Sequence, residues 1–205
     1  FATAFPIGDP GVAVRGIGMI GPYAIGASDT GPTSFTDSGK PQSLTEGLKD
    51  FLSSANGVGG DSLWGWYYQP TKLGLFAIQV DSLLSNPVGP GEGLQGQGFE
   101  GAIDGYPTAV KAWKDSLWVA YLTTAGNTYI LRGMFGPETA GTGRPLWYGF
   151  RLISSAECHF IGSTALRTNP TLLIGEGTSP LTYYTMGRRG RDIADGNYVF
   201  SVGGG

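Results

Sequence analysis

The stretch "DSLWGWYYQPTKLGLFAIQ" occupies residues 61–79, and a related stretch, "DSLWVAYLTTAGNTYILRG", occupies residues 115–133. The two share their first four letters, 54 positions apart. Each reads as an apolar strand, a polar turn that holds Gly or Pro, and a second strand, with aromatic and β-branched residues where strands favour them. Each stretch therefore predicts a β-hairpin, and the recurrence predicts a chain built from one repeated unit.

Two further stretches have the same shape. They are "GPYAIGASDTGPTSFTDSG" at residues 21–39 and "PTLLIGEGTSPLTYYTMGR" at residues 170–188. Apolar segments before and after the last two copies complete units of four strands: "AVKAW" (109–113), "LWYGFRLI" (146–153), "CHFIGSTAL" (158–166) and "NYVFSV" (197–202). Four short strands on a period near fifty residues are typical of the blade of a β-propeller.

The composition favours the same fold class. Glycine supplies 36 of the 205 residues, more than twice its usual share of about 7%. Only 14% of residues are charged, so many of the best helix formers are scarce. We predict an all-β chain with about four blades of four antiparallel strands, either one domain over residues 1–205 or a segment of a longer propeller. The Gly- and Pro-rich residues 86–99 predict a surface loop.

Three tryptophans are expected to pack between neighbouring blades, namely Trp64, Trp118 and Trp147. The alternative for such a residue is an exposed aromatic ring that stacks on a sugar. Asp61 and Asp115 occupy the same place in the two related stretches. Because a catalytic carboxylate is needed once and not in every repeat, we expect both to stabilise the turn before a strand.

The charge pattern excludes a general affinity for polyanions. The net charge is −3, and acidic and basic residues are spread along the chain, which argues against a nucleic-acid partner. The one basic cluster comprises Arg188, Arg189 and Arg191. It is interpreted as a solvated turn, with contact to a phosphate, a glycan or another subunit as the alternative. No apolar run of about 18 residues is present, so no membrane span is predicted.

No residue set in the sequence predicts catalysis, a cofactor or a metal. Cys158 is the single cysteine and His159 the single histidine. Neighbours on a strand point to opposite faces, which argues against a Cys–His dyad, and two ligands are too few for a zinc site. The sequence therefore predicts that the protein is not an enzyme.

The stretches "YAIGASDTGPTSFTDSGKPQSL" (23–44) and "NGVGGDSLWGWYYQPTKLGLFAI" (56–78) resemble a β-propeller found in structural proteins of tailed phages. The resemblance implies a component of the virion, in the tail or an appendage. Such a protein is expected to work by assembly or host adsorption, in oligomers and in contact with other virion proteins.

Residues 27–35 are similar to the Asp-box of sialidase-like propellers, S-x-D-x-G-x-T-W. Asp29, Gly31 and Thr33 match the pattern, whereas Ala27 replaces the serine and the aromatic residue arrives one position late. In Asp-box propellers the motif stabilises a turn and is not catalytic. The similarity therefore implies a turn-stabilising role for Asp29 and Gly31.

Three functions follow from these observations, in order of preference. The first is a structural and assembly component of a phage-like virion, and the second is a glycan-binding module that recognises a host surface. The third is a propeller glycoside hydrolase, ranked last because no pair of positioned carboxylates stands out. Five tyrosines are candidates for a sugar platform under the second function: Tyr67, Tyr68, Tyr106, Tyr183 and Tyr184.

Overall fold

The structure of this chain is a computed structural model. The structure describes residues 14–28, 31–35, 41–44, 59–72, 74–79, 81–82, 84–89, 105–153, 156–164, 171–175, 182–185 and 199–201. Within them, sixteen strands form four sheets, and each sheet contains four strands that are consecutive in the chain and pair antiparallel with their neighbours. The predicted all-β class, with four antiparallel sheets of four strands, is confirmed.

The first sheet contains β1 (Val14–Ile20), β2 (Tyr23–Ser28), β3 (Gly31–Phe35) and β4 (Pro41–Ser43). The second contains β5 (Asp61–Leu63), β6 (Trp66–Thr71), β7 (Gly74–Gln79) and β8 (Leu84–Gly89). The third contains β9 (Gly105–Trp113), β10 (Ser116–Thr123), β11 (Thr128–Met134) and β12 (Leu146–Ile153), with the short helix α1 (Pro137–Ala140) before β12. The fourth contains β13 (Phe160–Thr164), β14 (Thr171–Gly175), β15 (Thr182–Thr185) and β16 (Val199–Ser201).

The first two strands of the second and third sheets are joined by two-residue turns. Trp64 and Gly65 have φ of 55° and 80°, and Lys114 and Asp115 have φ of 47° and 56°. Two central residues with positive φ are what a type I′ turn requires, and this turn matches the twist of a hairpin. Gly65 adopts that conformation without steric cost, so the turn is placed there by the sequence.

The predicted alignment of the two "DSLW" stretches is wrong. In the second sheet the first three letters form β5 and the fourth, Trp64, is the first turn residue. In the third sheet the first letter, Asp115, is the second turn residue, and the other three letters begin β10. The pairs that flank the two turns, Leu63–Trp66 and Trp113–Ser116, are 50 positions apart and not 54. The four letters match by chance, while the repeat of four-stranded sheets is real.

Consecutive sheets pack face to face through three apolar clusters. Strand alternation assigns neighbouring side chains to different clusters. Leu117 lies between the second and third sheets, and Trp118 between the third and fourth. The cluster between the first and second sheets consists of Ile20, Ile25, Leu44, Tyr67, Phe76 and Ile78. Every described interface between neighbouring sheets therefore has its own apolar core.

Two of the predicted tryptophans lie in these interfaces and one does not. Trp118 and Trp147 are buried, and the Trp147 indole Nε1 donates a 2.7 Å hydrogen bond to the Val88 carbonyl oxygen in the second sheet. Trp64 is 55% exposed and lies in the β5–β6 turn. Its predicted packing role is wrong.

The predicted loop over residues 86–99 is wrong in its first part. Residues 86–89 belong to β8, which pairs with β7 through Asn86 and Pro87 among others. An edge strand accepts proline because the missing N–H is not needed on its outer side. Residues 90–99 lie outside the described part of the chain. Among the described residues, no helix is long and apolar enough to cross a membrane.

Candidate functional site

The first strands of the four sheets converge on one cavity of about 270 Å³, here called the central cavity. The first sheet contributes β1 to the wall, and the second contributes β5 and the two residues before it. The third sheet contributes β9, and the fourth contributes β13 and the residue before it. The lining residues are Ile17, Gly18, Gly59, Gly60, Asp61, Ala109, Val110, Lys111, His159, Phe160 and Ile161. The wall thus combines an apolar part with a carboxylate, an ammonium and an imidazole.

Asp61 joins the second sheet to the third at the wall of this cavity. Its Oδ2 accepts hydrogen bonds from the Lys111 ammonium at 2.6 Å and from the Ala112 N–H at 3.0 Å, and its Oδ1 accepts from the Ser62 N–H at 2.9 Å. The predicted role of Asp61 in the turn before β5 stays a prediction, since residues 51–58 lie outside the described part of the chain. Asp115 does lie in the β9–β10 turn, but with an exposed side chain.

Lys111 extends from β9 to Asp61, and both side chains are partly buried. An ammonium carries three N–H donors, so it can serve Asp61 and a molecule in the cavity at once. Because solvent reaches the pair, its contribution to stability is modest. The pair provides an acceptor and a donor side by side, with their charges balanced.

His159 also lines the cavity, just before β13. Its side chain is 60% exposed, and its Nε2 lies 2.6 Å from Glu157 Oε2. The neighbouring Cys158 is buried against the third sheet. The two side chains therefore diverge, and the imidazole is available at the cavity while the thiol is not.

Two exposed apolar side chains face the central cavity, Ile17 at 66% and Phe160 at 50% exposure. The Phe160 ring extends over Gly162, where a Cβ atom would come within 2.5 Å of the ring Cζ. It also lies beside Gly175, where a Cβ atom would be 3.2 Å from the Phe160 Cβ. The two glycines, one in β13 and one in β14, leave the space that this ring occupies.

Tyr67 forms a rigid wall behind the glycines of the cavity. Cβ atoms at Gly18 and Gly60 would lie 2.7 Å and 2.5 Å from its ring carbons, and its hydroxyl accepts a 3.2 Å hydrogen bond from the Gly60 N–H. Burial raises the pKa of Tyr67 well above its ordinary value, so the phenol is neutral. Gly18 and Gly60 are required here because no larger residue fits against the ring.

The other predicted site residues have different outcomes. Tyr67 and Tyr68 are fully buried, so neither is a surface platform for a sugar. Asp29 and the cluster of Arg188, Arg189 and Arg191 lie outside the described residues. Gly31 begins β3 with φ of 105° and pairs with Ser28, whose hydroxyl donates to the Gly31 carbonyl oxygen.

Sequence reasoning missed Phe160 and Lys111 as cavity residues. Both lie in segments that were recognised as strands flanking the hairpins, and these are the first strands of their sheets. Their place in the repeat could have identified them. Each lies in the first strand of its sheet, and the first strands of the four sheets line one cavity. Within the described residues, no group of three His, Cys, Asp or Glu side chains is close enough to hold a metal ion.

Comparison with known proteins adds information on the fold alone. No protein-family model matches the chain, and no curated protein does. Two solved structures from B. thetaiotaomicron are similar, one described as the extracellular domain of a one-component system and the other as the extracellular domain of a hybrid two-component system. They superpose with TM-scores of 0.62 and 0.59 over 98% and 92% of this chain, at 12% and 13% identity. The chain spans about a quarter of the length of these two solved chains, at 24% and 22%.

Proposed function

We propose that the four sheets are consecutive blades of a β-propeller. The support is threefold. Each sheet is a meander of four sequential strands, neighbouring sheets pack face to face, and the first strand of every sheet lines one cavity. Blades of a propeller have these three properties, because their first strands surround a common axis.

The protein is proposed to act by binding, as a structural and assembly component of a phage-like virion, in its tail or an appendage. It docks to other virion proteins and to further copies of itself, without catalysis. The resemblance at residues 23–44 and 56–78 is the reason for naming the virion. The observation that carries the assembly role is an exposed apolar surface on the third sheet.

This surface, the β12 edge patch, consists of Met134, Leu146 and Tyr148. All three side chains are exposed. Met134 pairs with Leu146, and Tyr148 lies two residues further along β12, so the three share one face of the sheet. Contiguous exposed apolar side chains on a protein are typical of an interaction surface.

The strand that carries the patch is at the edge of its sheet. β12 is eight residues long and follows β11 in the order of the third sheet, with its other side unpaired among the described strands. An edge strand offers a row of backbone donors and acceptors to a strand from another chain. Backbone pairing along β12 and apolar contacts at the β12 edge patch together explain how a partner docks.

Light scattering at several protein concentrations tests the assembly role. We expect a stable oligomer for the wild-type chain and a smaller species for the double variant Leu146→Lys with Tyr148→Lys. The matched control is Trp64→Lys, which adds a charge at an equally exposed aromatic residue outside the patch and leaves the mass unchanged. A wild-type chain that remains monomeric at high concentration contradicts the role.

The virion assignment has its own test, which is labelling of purified phage particles with an antibody to this chain. Labelled particles support the assignment, and unlabelled particles contradict it.

A second candidate function is recognition of a host-surface glycan. The central cavity favours it, because an exposed aromatic ring and hydrogen-bonding side chains meet there. Binding of the wild-type chain to a glycan array tests this candidate independently of the oligomeric mass. An array without signal contradicts it and leaves the assembly role intact.

A further inference from the structure

We propose that the central cavity binds a single neutral sugar residue, stacked on Phe160 and hydrogen-bonded by Asp61, Lys111 and His159. This site rests on the glycan-binding candidate and specifies its location and ligand class. It is independent of the assembly role, since the β12 edge patch lies on β11 and β12, which do not line the central cavity.

The charge balance of the cavity selects a neutral ligand. Asp61 and Lys111, whose side chains lie 2.6 Å apart, bring one negative and one positive charge to the wall, and these balance each other. The third polar group of the wall, the His159 imidazole, already has Glu157 Oε2 as a partner at 2.6 Å. A free anion or cation would have to compete with an existing partner. A sugar hydroxyl donates and accepts at once, and it can therefore bridge a carboxylate and an ammonium that already lie side by side.

The apolar part of the cavity fits the other surface of a sugar. A pyranose presents C–H groups on its faces, and these pack on aromatic and aliphatic side chains. Phe160 is held over Gly162 with half of its surface exposed, and Ile17 is exposed at the same cavity. Large exposed apolar residues that face polar groups across a cavity are typical of ligand sites with a few orienting hydrogen bonds.

The size of the cavity limits the ligand to one ring. Pockets that enclose drug-sized molecules have volumes of roughly 300–1,000 Å³. The central cavity has about 270 Å³, slightly below this range. One sugar residue at the end of a longer glycan meets this limit, while the remainder of the glycan lies outside the cavity.

The test compares the full chain with variants on a glycan array, followed by titration calorimetry with the best ligand. Phe160→Ala is expected to weaken binding roughly tenfold, as loss of an aromatic contact does. His159→Ala, at a largely exposed side chain, is expected to weaken it by several-fold, and it serves as a second variant if Phe160→Ala affects folding. Trp64→Ala removes an equally exposed aromatic ring away from the cavity and is expected to leave affinity unchanged.

The outcomes distinguish failure of the proposed sugar site from failure of glycan recognition as a function. Loss of affinity in both cavity variants, with Trp64→Ala unaffected, establishes the site. Binding that survives both cavity changes overturns the site but leaves glycan recognition standing. Binding restricted to acidic glycans overturns the neutral ligand class. A wild-type chain that binds no glycan removes both the site and the glycan-binding candidate.

Discussion

Asp61 and Lys111 lie 50 positions apart in the chain, yet the carboxylate of one accepts a 2.6 Å hydrogen bond from the ammonium of the other. The same carboxylate accepts from two backbone N–H groups, one in β5 and one in β9. One side chain thus connects the first strands of the second and third sheets at the central cavity.

Replacing Asp61 with Ala is expected to lower the free energy of unfolding by about 1–3 kcal/mol, because the Ala112 N–H and the Lys111 ammonium lose their acceptor. Lys111→Met is expected to cost less than about 1 kcal/mol, since the pair is partly solvated and Asp61 keeps both backbone donors. Urea unfolding measures both. Glu157→Ala, at an exposed pair, is the control, and an equal loss in Asp61→Ala and Glu157→Ala would contradict the connecting role.

Trp64 has a backbone conformation that is unfavourable for its residue type. A left-handed conformation costs an L-residue about 1–2 kcal/mol, and Asn-Gly is the preferred sequence of a type I′ turn. Trp64→Asn is therefore expected to raise the free energy of unfolding by about 1 kcal/mol. Lys114→Asn, at the equivalent turn position of the third sheet, is expected to act in the same direction.

Trp64→Ala is the control for the turn prediction. It removes the indole but keeps a residue that disfavours positive φ, so thermal unfolding is expected to show no comparable gain. A loss of stability in both Trp64→Asn and Trp64→Ala would mean that the indole makes a stabilising contact, contrary to its exposed position.

Two features require glycine at position 143, namely the positive φ of its backbone and the close approach of the Trp66 ring. Gly143 has φ of +68°, a Cβ atom there would lie 2.6 Å from Trp66 Cδ2, and its carbonyl oxygen accepts a 3.1 Å hydrogen bond from the buried Tyr68 hydroxyl. Gly143→Ala is expected to cost about 2–4 kcal/mol, combining backbone strain with displacement of the indole.

Two other glycines separate these contributions. Gly126 has φ of +79° with open space around it, so Gly126→Ala is expected to cost about 1 kcal/mol from strain alone. Gly141 has φ of −70° and equally open space, so Gly141→Ala is expected to be neutral or slightly stabilising. Equal effects of all three changes on the chemical unfolding midpoint would refute the packing argument.

The buried tyrosines make stability depend on alkaline pH. Burial raises the pKa of Tyr67 and that of Tyr68 above their ordinary value of 10.0. Above pH 10 the unfolded chain releases these protons while the folded chain retains them. Stability is therefore full below pH 10 and falls as pH rises beyond it.

Urea midpoints measured between pH 8 and 11 test this dependence. Tyr68→Phe is expected to be less stable at neutral pH, because it loses the hydrogen bond to Gly143, but to decline less steeply above pH 10. Phenolate absorbance of the native chain provides the second measurement. Titration of all ten tyrosines near pH 10 without unfolding would contradict the raised pKa values.

Local sequence was sufficient for the elements of this fold. The local pattern predicted most hairpins and the count of four strands in each sheet. This pattern consists of alternating apolar residues, β-branched and aromatic side chains, and glycines between them. The segment "LWYGFRLI" coincides with β12, because period-two alternation and flanking breakers act within a few residues. The register of the repeat was not predictable from four identical letters. It follows from the positions of the two turns, Trp64–Gly65 in the second sheet and Lys114–Asp115 in the third.

The partners of each side chain were decided only by the tertiary structure. Trp64 and Trp118 occupy the same place in the two "DSLW" stretches, yet one is exposed in a turn and the other lies between two sheets. Asp61 contacts Lys111, and Phe160 and Ile17 line the same cavity, through segments far apart in the chain. Strand formation depends on neighbours in sequence, so the sequence by itself determined the β class. Burial and the central cavity depend on how the sheets stack, and this sets distances that no local pattern contains.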